Sequence, residues 1–183
     1  MKPCRNLFLF VVFTIIIGSL SVLNAEQIKD VKSVTPSDAY AMWLENPGKV
    51  KVIDCRTQEE YEFVGHAFMA YNIPCFFWTG KWDSEKKMFI MESNPDFGAR
   101  VKEKFALDDT ILLMCRSGSR SLKGVKRLVK AGFTNVYTIA HGFEGGKVTE
   151  HDSNFKGQRV KNGWKNSGQP WTYKLSSKLI YIR

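Results

Sequence analysis

Apolar and polar positions along this chain change period several times, and each change marks an element. Val50–Asp54 and Thr110–Met114 are short runs dense in aliphatic residues, the pattern of strands buried on both faces. Tyr71–Ile73 (before Pro74) and Asn135–Ile139 read the same way, and Val31–Val34 reads as an edge strand. Between these runs the period lengthens to that of helices. Thr35 as N-cap, Pro36 at the first helical position and Asp38 in the first turn predict a helix to about Glu45, stopped by Asn46-Pro47-Gly48. Thr57-Gln58-Glu59-Glu60 is a capping box that starts a short helix through Phe63. A third helix is expected from about Pro95 to Phe105 and a fourth from about Ser119 to Ala131. The fourth carries Leu122, Val125, Leu128 and Val129 on one face and Lys123, Lys126, Arg127 and Lys130 on the other, with Gly132 at its C′ position. Strands alternating with helices predict an α/β domain with a mainly parallel sheet.

Two stretches do not follow this pattern. Residues 75–93 form a long connection rich in aromatics (Phe76, Phe77, Trp78, Trp82, Phe89). It reads either as a wall or lid over a site or as an Ω-like loop pinned by its own rings. From Gly145 onward the chain is polar and glycine-rich, and Trp164, Trp171 and Tyr173 are expected to anchor this tail to the body.

The first residues change the picture of where the protein works. Lys2 and Arg5 form a basic n-region, Leu7 through Ile17 an apolar h-region, and Ala25 is a small residue suited to cleavage. Residues 1–25 therefore read as a bacterial-style signal peptide, with an uncleaved anchor as the alternative. Residues 26–183 remain as one domain. This reading predicts a periplasmic protein, with secretion beyond the periplasm left open. The formal net charge is +9, and residues 147–183 hold eight Lys/Arg against two Asp/Glu. A basic segment near 147–161 is a solvated surface or a docking site for an acidic protein. Nucleic acid is not an expected partner for an exported protein, and a monomer is the default.

Cysteines carry the candidate chemistry. Cleavage removes Cys4 and leaves Cys55, Cys75 and Cys115. Cys55 and Cys75 are either a disulfide or two buried free thiols. Cys115 stands apart, because it follows the strand Thr110–Met114 and opens the loop Cys115-Arg116-Ser117-Gly118-Ser119-Arg120. A thiol placed there faces loop amides and a helix N-terminus, both of which favour an anion. Two arginines add positive charge.

The order of motifs resembles the rhodanese-type sulfurtransferase family. Val52-Ile53-Asp54-Cys55-Arg56, Glu60-Tyr61, Gly65-His66 and Asn72-Ile73-Pro74 are similar to its first-half signature. Cys115 to Arg120 is similar to its active-site loop. Gly132-Phe133-Thr134-Asn135-Val136-Tyr137 with Gly142 resembles its second-half signature, and Trp164, Gly168 and Pro170 its terminal segment. The chain departs from the pattern at Cys55, where the family usually has an apolar residue, and at His141, where glycine is common. It also has about fifteen extra residues before Trp164.

The resemblance implies a three-layer α/β/α fold and a covalent cycle. The Cys115 thiolate takes the outer sulfur of thiosulfate or polysulfide, sulfite leaves in the thiosulfate case, and the persulfide passes its sulfur to cyanide or a thiol. Arg116 and Arg120 are expected to receive the anionic donor, Ser117 and Ser119 to offer hydroxyls, and Gly118 to permit the turn. Asp54 and Arg56 are expected to brace the site from a strand end. The alternatives are a non-catalytic sulfur carrier for an acidic partner protein and an arsenate reductase or phosphatase of the related fold. Those last enzymes carry one more residue in the loop, and the smaller ring here suits sulfane sulfur. His66 reads as a turn-stabilising residue, His141 as lying near the pocket or on the surface, and His151 as part of the insertion. Their spacing is not that of metal ligands, so neither metal nor cofactor is expected.

Overall fold

The computed structural model describes residues 31–182. The expected leader at 1–25 lies outside those residues. Five parallel strands make the central sheet, in the order β1-β8-β7-β2-β4. They are β1 (Ser33–Val34), β2 (Val50–Asp54), β4 (Tyr71–Asn72), β7 (Thr110–Met114) and β8 (Asn135–Ile139). One face packs on α3 (Phe97–Lys104) and α4 (Ser119–Lys130), through Ile53, Ile111, Leu113, Phe97, Val101, Val125 and Leu128. The other face meets α1 (Pro36–Glu45) and the short α5 (Gly163–Asn166), through Val52, Leu112, Met114, Ala39 and Trp164. This is the three-layer α/β/α arrangement that the alternation and the resemblance predict.

Local signals hold where chemistry enforces them. The Thr35 hydroxyl accepts from the Asp38 amide, and the Thr57–Glu60 capping box closes at both ends of its reciprocal pair to start α2 (Gln58–Phe63). The tail is held as expected. Trp164 is fully buried and its indole donates to the Pro170 carbonyl. The strands β3 (His66–Ala67) and β9 (Trp171–Thr172) pair antiparallel and tie the tail to the first half. Tyr173 is exposed, and it packs edge-on against Trp171.

Two expectations need correction. Residues 75–93 are neither a lid loop nor an Ω-loop. They form an antiparallel hairpin of β5 (Phe76–Asp83) and β6 (Met88–Ser93), with a register irregularity between Trp78 and Trp82. The Asp83 carboxylate accepts from the Glu85 and Lys86 amides and turns the chain. Most of the hairpin is exposed, so its sequence lacks the clean alternation of a half-buried strand. Second, α4 buries Ser121, Gly124, Val125 and Leu128, whereas Leu122 is 46% exposed. A Cβ on Gly124 would lie 2.5 Å from Leu113 Cδ2 and 2.9 Å from Cys75 Sγ, so the backbone itself is the packing surface. Arg127, expected on the solvent face, is partly buried and donates to the Cys75 and Asn94 carbonyls. Gly124→Leu is expected to lower stability by about 3 kcal/mol or more through overpacking, read as a drop in the thermal unfolding midpoint. Of the two readings left open for Cys55 and Cys75, the structure has the buried free thiols.

Candidate active site

Strand β7 delivers Cys115 to the C-terminal edge of the sheet, where loops of parallel α/β folds gather ligands. The loop 115–118 then turns into α4. Gly118, at φ +111°, makes the turn, and its amide donates to Cys115 Sγ at 3.1 Å. The first amides of α4 begin at Ser119, where helix N–H groups lack intrahelical acceptors. Cys115 as a whole is 1% exposed, so it lies under the loop and not on the surface. Arg116 and Ser119 are exposed, and Ser117 is half-buried.

A second loop braces the first. After β8 the chain passes through His141 at φ +61° and Gly142 at φ +63°. Such angles explain why the residue before Gly142 is commonly glycine in the family, and His141 tolerates them on an exposed loop. The Phe143 amide donates to the Cys115 carbonyl (2.7 Å) and the Glu144 amide to the Arg116 carbonyl (2.9 Å). A Cβ on Gly142 would lie 2.9 Å from the Arg116 carbonyl carbon and the Ser117 nitrogen, and closer still to the Cys115 carbonyl oxygen. Gly142→Ala is therefore expected to cost about 2 kcal/mol or more in stability. Because it pushes on the loop backbone, it should also lower turnover more than a surface substitution of equal thermal effect does.

The ion pairs sort the four charged residues expected at the site. Arg56 is fully buried and grips Asp54 through Nε (2.9 and 3.0 Å) and one terminal nitrogen (2.6 Å). It also donates to the Gly65 carbonyl and lies over the Phe143 ring at 4.2 Å. The Asp54–Arg56 pair thus braces the loops after β2 and β8. Arg120 is committed elsewhere: both terminal nitrogens donate to Glu60 at 2.6 Å. In the sequence Glu60 reads as a capping residue and as part of the first-half signature, not as the partner of an arginine. It serves both purposes, accepting from the Thr57 amide and clamping α4 to α2. Arg120 still lies within electrostatic reach of Cys115.

Above the loop, α2, the hairpin and α4 enclose a cleft of about 760 Å³. Phe63, Trp78, Met88, Phe89 and Met91 give it apolar walls, and Glu60, Arg116, Ser119 and Arg120 line its polar side. The hairpin is therefore a wall of the site after all, though built of strands. No local signal in the sequence pointed to Phe63, which is 73% exposed at this mouth.

Two groups near the site set an acid limit. The buried His66 ring stacks on Tyr61 (3.7 Å between centroids), and its Nδ1 sits 3.0 Å from the Tyr61 carbonyl, so Nδ1 carries the proton and donates. Burial pushes the imidazole below its ordinary 6.5. The unfolded chain then binds the extra proton first, so this contribution is complete above about pH 6.5 and declines as pH falls below it. For Glu60, burial alone would raise the carboxyl, but hydrogen bonds and charge from Arg120 outweigh it and hold the group below its ordinary 4.5. Its contribution is present above that value and is lost as pH falls through the lowered one. The unfolding midpoint is expected to stay level near neutrality, to slope down from about pH 6.5 and to steepen below about 4.5. His66→Gln should remove the first slope.

Comparison with known proteins matches this geometry. The family model described as "Rhodanese-like domain" matches residues 35–148. Thiosulfate sulfurtransferase 16, a chloroplastic protein of Arabidopsis thaliana, is 34% identical over 119 residues, covering 65% of this chain and 89% of the relative. An uncharacterized protein of Rickettsia prowazekii, RP600, is 28% identical over 149 residues, covering 78% and 98%. Among solved structures, Rv0390 from M. tuberculosis superposes with a TM-score of 0.62 at 25% identity, covering 79% of this chain and 98% of that one. With the strand–loop–helix cradle, the second brace and the match over residues 35–148 in agreement, the chain belongs to the rhodanese-like domain family.

Proposed function

We propose that this protein is a sulfurtransferase that carries sulfane sulfur from thiosulfate or polysulfide to a thiophilic acceptor on Cys115. The observation that carries this reading is the Gly118 amide donating to Cys115 Sγ at the foot of α4. An anionic sulfur accepts such a bond more strongly than a neutral one does. The same cradle serves a persulfide, whose charge sits one atom further from the backbone. The Arabidopsis relative's name supports thiosulfate as donor.

In the first half-reaction the Cys115 thiolate attacks the outer sulfur of thiosulfate. The new S–S bond forms as the old one breaks, and sulfite leaves with the electron pair. In the second, cyanide or a thiolate attacks the outer sulfur of the persulfide and Cys115 departs as thiolate. Arg116, exposed at the cleft, receives the anionic donor. Ser117 and Ser119 offer hydroxyl donors beside it. Arg120, held by Glu60, contributes its field and the position of α4 more than a direct grip. Purified protein is expected to form thiocyanate from thiosulfate and cyanide with ping-pong kinetics. Absence of turnover together with hydrolysis of an aryl phosphate would sink the assignment. Arg116→Met is expected to raise KM for thiosulfate about tenfold, the loss of about 1.4 kcal/mol of anion binding, with kcat little changed.

A second reading, a sulfur carrier, is favoured by the apolar mouth, where Phe63, Trp78, Met88 and Phe89 are all exposed. The basic residues Lys147, Lys156, Arg159 and Lys161 would then dock an acidic protein. Sulfur uptake without turnover to cyanide supports this reading over the enzyme. Export to the periplasm is part of the proposal and rests on residues 1–25. The intact mass of protein recovered from that compartment tests it.

A further inference from the structure

The sulfur-transfer cycle needs one thiol, yet three are buried at the C-terminal edge of the sheet. Strands β2 and β7 run in register, Asp54 beside Met114, and the Cys55 amide donates to the Met114 carbonyl at 2.8 Å. Cys55 and Cys115 are therefore the next rung of that ladder. They also share a face. Ile53, Cys55, Leu113 and Cys115 belong to the core on the α3/α4 side, while Val52, Leu112 and Met114 belong to the opposite one. Adjacent strands lie about 4.8 Å apart, within the Cα separation of about 4.4–6.8 Å that a disulfide spans. Cys75 lies further out: its amide donates to the Cys55 carbonyl at 3.1 Å, on the β4 side. Its thiol contacts that of Cys55, which is also within electrostatic reach of Cys115.

We propose that Cys55 is a resolving thiol, which attacks the inner sulfur of the Cys115 persulfide and releases hydrosulfide. This rests on the persulfide reading above and adds a second outcome to it. The Cys55–Cys115 bond forms as the bond between the inner and outer persulfide sulfurs breaks. The outer sulfur leaves with that electron pair and takes the Cys55 proton, so it departs as hydrosulfide. A soluble dithiol then exchanges with the bridge, is oxidised to its own disulfide and returns both cysteines to thiols. Summed over the cycle, thiosulfate and a dithiol yield sulfite, hydrogen sulfide and the oxidised dithiol. Burial raises the Cys55 thiol well above its ordinary value, so the group holds its proton at rest; the anionic outer sulfur of the persulfide takes that proton, and the Cys55 thiolate so formed attacks the inner sulfur as hydrosulfide leaves. An external acceptor that reaches the cleft first takes the sulfur instead. The protein therefore partitions between sulfur transfer and sulfide release.

The experiment is a time course on reduced wild-type protein, loaded with thiosulfate and then desalted. Intact mass should first show the gain of one sulfur atom, then fall to two hydrogens below the thiol form as one hydrosulfide per chain appears. Peptide mapping of that product should find Cys55 bridged to Cys115. In Cys55→Ala the persulfide should persist at least about ten times longer, and Cys75→Ala should decay as wild type does. A wild-type persulfide as long-lived as that of Cys55→Ala, or a bridge joining Cys55 to Cys75, overturns the inference and leaves sulfur transfer standing. No sulfur uptake by wild type overturns both. The peptide map needs no variant, so it decides the matter even if the buried substitutions fail to fold.

Discussion

Cys115→Ala is expected to lower thiocyanate formation by at least about three orders of magnitude and to abolish the gain of one sulfur atom on mixing with thiosulfate. The physical reason is that no group lining the cleft above the loop can take the role. Cys55 is fully buried one strand further in, and burial keeps its thiol protonated until a persulfide on Cys115 takes that proton. The polar wall consists of arginines, hydroxyls, Glu59 and Glu60, none of which bonds reversibly to sulfane sulfur. The substitution removes the sulfur of a residue that is 1% exposed, so a modest stability change accompanies it. Measuring the unfolding midpoint alongside the rate separates the two. A variant that folds as wild type does and still turns over would mean that the cradle on Gly118 N–H serves another purpose.

Asp54→Ala should have the largest effect on stability. Arg56 has no exposed surface, and Asp54 supplies three of its side-chain hydrogen bonds as well as its counter-charge. The nearest remaining carboxylate, Glu144, is 3.9 Å from the other terminal nitrogen. Breaking a buried pair from one side costs about 3–5 kcal/mol, because a charge is left in the interior without compensation. For a domain of this length that is a fall of roughly 10 °C in the unfolding midpoint. Replacing both partners, Asp54→Leu with Arg56→Met, should recover much of the loss, since no charge is then stranded. If the single variant unfolds within a degree or two of wild type, the brace described for the loops after β2 and β8 is wrong.

Much of the site could be read from local signals. Cys115 was evident because a buried strand, a loop with two arginines and an amphipathic helix follow one another without interruption. The N-caps at Thr35 and Thr57 depend on atoms three residues apart, and both formed as expected. His141 was noticed as unusual beside Gly142, and its left-handed backbone explains the preference for glycine there. Other features involve residues distant in sequence. The Arg120 clamp depends on Glu60, sixty positions earlier. The buried face of α4 was placed one position off, because Gly124 is pressed by Leu113 and Cys75 from other elements. The hairpin at 76–93 escaped notice because exposure on both faces removes the alternation that burial imposes.

The family, most of the strands and helices, and Cys115 as the candidate nucleophile were legible in the chain alone, since their signals lie within one turn, one strand or one loop. Only the tertiary structure decided which charges are free and which are spent, what walls the cleft, and that Cys55 stands beside Cys115. Those outcomes depend on which strands become neighbours and in what register. Register is set by the summed burial of the whole sheet and not by any single stretch of the chain.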